Sequence, residues 1–329
     1  MAEAGLQWEQ GVGIARTPAP DTVVGIPKHY LVCESANIVA TPKVYERRAS
    51  WTADISHVVT AGFDYTFEAS GMTLHPAGVG YLLWLFLGAD AYAAGVHTLT
   101  PAIQGQYANV FVDRGADIDA TVGDTVERIR GAKITNLSLE FPEDDFCKWS
   151  MSGVACDKSL TLPPLTPTLP VGADNEPLAW KHLQAGDFQV GVAGGGVAQD
   201  DEIKGLKVSM ERPPILGGKN LGSTQPSWIK QGIRKVTYSF MKEFVGPNAK
   251  AQSLAFRAHS SLEIQWRAVV GANYVDIAIP FATFNANPYG QVGSNDEVVT
   301  MDVQAVAYKP EGSPILTATV KDGTAALYT

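Results

Sequence analysis

The sequence predicts a mainly β protein made of two related halves, each with one short helix. Glycine (32 residues) and proline (20) punctuate the whole chain, and charged residues are only 18%. The apolar runs between them are short and rich in Val, Ile, Thr, Phe and Tyr, which suits half-buried pleated strands. The second observation is that one order of elements occurs twice, and 329 residues suffice for two ordinary cores.

The repeat runs over 30–158 and 203–329 and lies in order far more than in identity. Each half opens on a strand-like segment, Ala36–Ala40 or Leu206–Met210, followed by an irregular charged stretch holding Arg47 and Arg48 or Glu211 and Arg212. A strongly alternating strand comes next, Ala61–Phe67 or Ile233–Phe240, with the period of two that gives a strand one buried face. Pro76 and Pro247 then mark helix starts, because proline is pre-organised for a first helical turn. A strand follows each helix (Val96–Pro101; Leu262–Ala268), and then one that stops at proline (Leu137–Pro142; Val275–Pro280). Each half closes on a strand with a Met and a Val-Ala pair, Ser150–Ala155 or Thr300–Ala307.

The halves differ by an insertion, 104–133, read as a projecting hairpin. Residues 1–29 lack a basic segment followed by an apolar one and read as a polar N-terminal arm rather than a signal peptide. Residues 159–202 hold Pro163, Pro164, Pro167, Pro170 and Pro177, which favour extended backbone and read as a linker.

Composition excludes several functions. A net charge of −9 argues against gripping nucleic acid through its phosphates. Cys33, Cys147 and Cys156 form no CxxC pair, and the six histidines are scattered singly, so neither a disulfide framework nor a metal site is expected. The cluster Gly191–Gly196 lacks the Lys-Ser or Lys-Thr of a phosphate loop and reads as a flexible loop. The acids of Asp113–Asp119 lack the spacing of a calcium loop. No GxSxG elbow is present, and Asp144, Asp145, Asp200 and Asp201 sit in loop-like stretches, so no catalytic residue and no cofactor is expected. The tryptophans lack interleaved basic residues and read as packing rather than stacking platforms. Val79–Ala89, the most apolar stretch, is too short to span a membrane.

The second half carries the most distinctive wording: Lys204–Pro213, a glycine-rich stretch, then Pro226–Phe240. There Ile229, Gly232, Val236, Ser239 and Phe240 follow an I-x-x-G-x-x-x-V-x-x-S-F pattern. This resembles the tail tube proteins of long-tailed bacteriophages, and the first half is similar but looser. The resemblance implies two tandem tail-tube-like β-sandwich domains, 30–158 and 203–329, each with a short flanking α-helix. It implies a structural virion protein, not an enzyme, that polymerises as stacked rings into a conduit for DNA ejection.

Three copies of a two-domain chain would make a ring of six units. The partners implied are further copies of the chain, tape-measure, terminator or tip proteins, and DNA passing without specific binding, with no membrane. The chain is expected in the virion tail, and in the host cytoplasm before assembly. Ring stacking needs contacts beyond the ring plane, which makes Asp113, Arg114, Asp117, Asp119, Asp124 and Arg128 of the insertion the inter-ring candidates. The acidic balance suggests a bore that repels phosphate. The alternatives are another phage component, such as a terminator or decoration protein, or a carbohydrate-binding or hydrolytic β-sandwich.

Overall fold

A computed structural model describes residues 11–22, 24, 29–48, 55–113, 126–159, 176–183, 187–193, 197–200, 203–218, 225–243, 246–288, 300–323 and 328. The first half holds β1 (Gly11–Thr17), β2 (His29–Val32), β3 (Ser35–Arg48), β4 (Ile55–Gly71), α1 (Pro76–Leu87), β5 (Gly88–Ala93), β6 (Val96–Pro101), β7 (Tyr107–Asp113), β8 (Val126–Pro142), β9 (Lys148–Ala155) and β10 (Asp157–Ser159). The second holds β11 (Phe188–Val192), β12 (Val197–Gln199), β13 (Ile203–Glu211), β14 (Pro214–Leu216), β15 (Ile229–Gln231), β16 (Lys235–Glu243), α2 (Gly246–Arg257), β17 (Leu262–Val270), β18 (Asn273–Phe284), β19 (Thr300–Ala307) and β20 (Thr317–Lys321).

Alternation builds the first layer. Eight strands pair antiparallel in the order β3, β4, β9, β8, β13, β16, β19, β18. Leu137, Leu139 and Phe141 of β8, Leu206, Val208 and Met210 of β13, and Val236, Tyr238 and Phe240 of β16 are all buried on one face. The residues between them are Ser, Thr, Asn, Lys and Glu. Outer strands and α1 cover the apolar face, and one continuous core cluster runs through both halves.

The outer layer is built the same way twice. β1 pairs β2 and β7, β7 pairs the start of β8, and β10 pairs β8 from its other side. In the second half β11 pairs β12 and β17, β17 pairs the start of β18, and β20 takes the place of β10. The β5–β6 hairpin has no second-half counterpart among the described residues, and its β6 adds to β20.

Helix α1 is buried along almost its whole length. It starts on Pro76 and ends where Gly88, at φ 103°, donates its N–H to the Trp84 carbonyl, a left-handed stop that glycine adopts without strain. A Cβ at Gly88 would run into the Gln104 carbonyl oxygen. The outer ends of the halves are clasped where Tyr328 stacks on buried His97 at 3.9 Å and donates its N–H to Asp90 at 3.1 Å.

Several expectations change. The charged stretch with Arg47 and Arg48 is strand, because β3 stays paired with β4 out to Arg48↔Ile55 and ladder bonds depend on backbone rather than side-chain polarity. Gly11–Thr17, inside the expected arm, is a strand with Val12 and Ile14 fully buried. Of the expected linker, 160–175 lies outside the described residues, whereas β11 and β12 form a hairpin that contains Gly191. The counterpart of Leu262–Val270 by pairing is β7, with β6 standing outside the repeat. The strands of the 104–133 segment do pair, but Val110, Phe111, Val126 and Ile129 are buried between β1 and β10, so the described part is packed rather than projecting.

Gly153 of β9 stands where the sheet leaves no room for a side chain. A Cβ there would strike the Lys133 carbonyl oxygen and the Phe67 ring. Gly153→Ala is therefore expected to destabilise by about 1–3 kcal/mol through overpacking, read as a lower Tm with an unchanged circular dichroism spectrum at 20 °C.

Candidate functional site

The surface with functional character is the polar face of the eight-stranded layer together with its edges. The registers line hydroxyls up across six neighbouring strands: Ser35, Ser70, Ser150, Ser138, Ser209 and Thr237 stand side by side. Ser138 and Ser209 are within hydrogen-bond reach at 3.2 Å across the joint of the two halves. Above and below that row, charges alternate in sign. Lys207 pairs with Glu140 at 3.0 Å and Lys43 with Asp64 at 2.7 Å, while Glu68, Glu211, Lys235 and Asp302 occupy the same face by alternation. The depressions along the face are open grooves lined by such residues. Of the charged residues named on this face five are acids and three are lysines, so negative charge is in modest excess.

The joint of the halves is an antiparallel ladder between β8 and β13, Asn136↔Glu211 to Pro142↔Gly205. It continues as the Arg212 N–H donates to the Thr135 carbonyl at 2.7 Å. Side chains reinforce it behind the sheet. Buried Arg212 donates to the carbonyls of Ile103 (2.6 Å) and Phe86 (3.4 Å), and Arg234 to those of Ala102 (2.9 Å) and Leu87 (3.4 Å). Two second-half guanidiniums thus meet the carbonyl end of α1, where backbone acceptors lack helical partners and the helix dipole is negative. Gln231 donates to the Ile134 carbonyl and accepts from the Gly105 N–H at 2.9 Å. Burial, with the neighbouring Arg212 charge, pulls the Arg234 pKa down to about 10 and that of Lys133 down to about 8.

At the far end of the layer β3 pairs with β4 alone among the described residues, and Pro42 sits within it. Proline is tolerated where its missing N–H would face away from the ladder. At the opposite end β18 pairs β19 at Ala282–Phe284.

Of the motif positions, Ile229, Val236 and Phe240 are buried core residues, Gly232 donates its N–H to the Pro213 carbonyl at 2.8 Å, and Ser239 lies on the polar face beside Lys207 and Gln304. Of the inter-ring candidates, Arg114, Asp117, Asp119 and Asp124 lie outside the described residues. The backbone of Asp113 ends β7, and Arg128 donates to the Val24 carbonyl at 3.4 Å. Sequence reasoning missed the joint residues Arg212, Gln231 and Arg234. Their signal was a glutamine inside the I-x-x-G pattern with an arginine before it and another after it, which alternation alone assigns to the surface. Burial pushes the thiol pKa values up to about 11 for Cys33 and Cys156 and to about 12 for Cys147, the reverse of a nucleophilic cysteine.

Polar groups spread along a sheet with an unfilled edge, rather than gathered in one pocket, define an assembly protein. The chain belongs to the phage tail tube protein family, whose model matches residues 53–310. It is a structural protein of the tail tube, and that family is structural rather than enzymatic. Among solved structures it is similar to chains of a native gene transfer agent virion (11% identity, 39% of this chain and 95% of that one, TM-score 0.29). A second is the tail of an empty gene transfer agent particle with C6 symmetry (11% identity, 40% and 93%, TM-score 0.29). No curated protein matches.

Proposed function

We propose that the chain carries two tail-tube units, divided between β1–β10 and β11–β20, and that three copies close a ring of six units around a bore lined by the polar face. The observation that carries this reading is the β8–β13 ladder, in which the last polar-face strand of one unit pairs with the first of the next. The recurrence of the pairing pattern supports it. The first-half pairs β3–β4, β4–β9 and β8–β9 have the second-half counterparts β13–β16, β16–β19 and β18–β19. The strand equivalent to β13 in the first unit is β3, whose outer edge receives the neighbouring copy. Exposed strand edges of this kind drive association, and a ring that closes leaves none.

Hydroxyls and sign-alternating charges suit a bore through which DNA must slide. They keep the wall hydrated and offer no cluster of cations to condense on phosphate. The resemblance assigns tape-measure and terminator or tip proteins as further partners, and the host cytoplasm as the place before assembly. Electron microscopy of the purified protein at rising concentration tests the reading. Hollow tubes of uniform width with three copies per ring are expected, and a particle that stays monomeric at every concentration and salt rules it out.

A further inference from the structure

The outer layers of the two halves meet along a short ladder, β6 with β20 from His97↔Val320 to Leu99↔Ala318. Tyr328 is seated beside it with only 5% of its surface exposed. The aromatic walls of the seat all come from the first half. His97 of β6 stacks on the phenol ring at 3.9 Å, Trp84 of α1 lies tilted to it at 5.8 Å, and Tyr81 of α1 meets it edge-on at 5.9 Å. His29 of β2 stands edge-on at 6.2 Å.

The hydroxyl and the backbone N–H of Tyr328 are both read by buried carboxylates. The hydroxyl donates to Asp322, which follows β20, and the N–H donates to Asp90 of β5 at 3.1 Å. Asp90 also lies 2.9 Å from one imidazole nitrogen of His97, and Asp322 lies 3.8 Å from the other. The ring that stacks on the phenol therefore also ties the two acids that hold it. Burial, and then the charges of Asp322 and Asp90, push the phenol pKa well up, so the hydroxyl stays a donor. Glycine weakens a helix interior relative to alanine, yet a Cβ at Gly80 of α1 would run into the Tyr328 hydroxyl. The helix gives up a side chain where the phenol oxygen needs room.

A stacking face, an acceptor for the hydroxyl and a second acceptor for the N–H together select one residue type in one orientation. Phenylalanine lacks the donor, and an aliphatic side chain lacks the flat face. The geometry points to a tyrosine-binding socket on the first half, built from Gly80, Trp84, Asp90 and His97, that captures Tyr328 as a latch and holds the outer β6–β20 ladder shut. The ligand class it takes is a tyrosyl residue in a peptide chain. The inner β8–β13 ladder is closed separately, so the latch acts on the outer layer. It works within one chain and stands whether or not rings close.

Tyr328→Gly in the full chain empties the socket, and p-cresol supplies the missing side chain. Thermal melting reads binding, because a ligand that binds only the folded state raises the melting temperature. For this variant p-cresol is expected to raise it and toluene to bind about tenfold more weakly, since toluene has no donor for Asp322 and a hydrogen bond to a charged group is at stake. Wild type, with its socket filled, is expected to respond to neither. Hydrogen exchange is expected to speed up about tenfold in β6 and β20 of Tyr328→Gly while the β8–β13 ladder keeps its protection, and p-cresol is expected to restore the wild-type rate. Gly80→Ala and Tyr328→Phe disturb the seat without emptying it. They are expected to show the same local loss in smaller degree, and they carry the test if Tyr328→Gly does not fold. A folded Tyr328→Gly chain that responds to p-cresol and toluene alike, or to neither, overturns the socket. Exchange that stays at the wild-type rate in β6 and β20, or rises equally along the β8–β13 ladder, overturns the latch.

Discussion

Ala40→Pro is expected to leave the chain folded and to abolish ring closure. Val208, which has the same alternation phase in the equivalent strand of the second half, pairs with Leu139 across the joint. The Arg212 N–H, four residues further on and on the same side of β13, donates to β8, so the Val208 N–H points to β8 as well. Carried over to β3, this places the Ala40 N–H at the outer edge, in phase with native Pro42. Proline at 40 therefore spares the β3–β4 ladder and presents a ring where a neighbouring strand must approach. Losing even one ladder bond per joint, about 0.5–1.5 kcal/mol net, shifts association up to about tenfold, and the steric block adds to that. Sedimentation should show monomer at concentrations where wild type forms rings, with an unchanged melting curve. Normal rings from Ala40→Pro would mean that β3 is not the receiving edge.

Lys242→Ala is expected to produce the largest loss of stability among single changes considered for this chain. Lys242 and Asp200 are 0% and 1% exposed, the ammonium lies 2.8 Å from both carboxylate oxygens, and Gln252 of α2 donates to the same carboxylate at 2.6 Å. Removing the cation leaves a buried carboxylate without its counter-charge, which typically destabilises by about 3–5 kcal/mol. For a chain of this size that corresponds to a fall in Tm of about 10 °C. Replacing both partners with apolar residues, as in Lys242→Met with Asp200→Leu, should recover much of the loss, because no charge is then left buried. A double-mutant melting series measures this. A Lys242→Ala protein melting with wild type would show that Asp200 is not held as a buried ion.

Much of the fold could be read from residue order. Alternation at Ile233–Phe240 and Leu137–Pro142, proline at Pro76 and the Met-containing strands at Ser150–Ala155 and Thr300–Ala307 each became the expected kind of element. Local pattern is decisive for these because a strand with one buried face must alternate and a helix must begin where its backbone donors are free. The apolar run of α1 was legible for the same reason.

The rest depended on which strands become neighbours. Arg212, Arg234 and Gln231 look like surface residues until the β8–β13 joint brings the carbonyl end of α1 against them. The hydroxyl row from Ser35 to Thr237 is scattered over some two hundred positions of sequence and appears only when six registers align. Gly11–Thr17 and Phe188–Val192 read as arm and linker because short strands signal weakly by themselves and form when a partner strand supplies their hydrogen bonds. The amino-acid order by itself thus determined most of the longer strands, the helices and the family. Tertiary pairing alone decided that the halves share one sheet and one core, because hydrogen bonds between distant strands are set by geometry that no local window of residues contains.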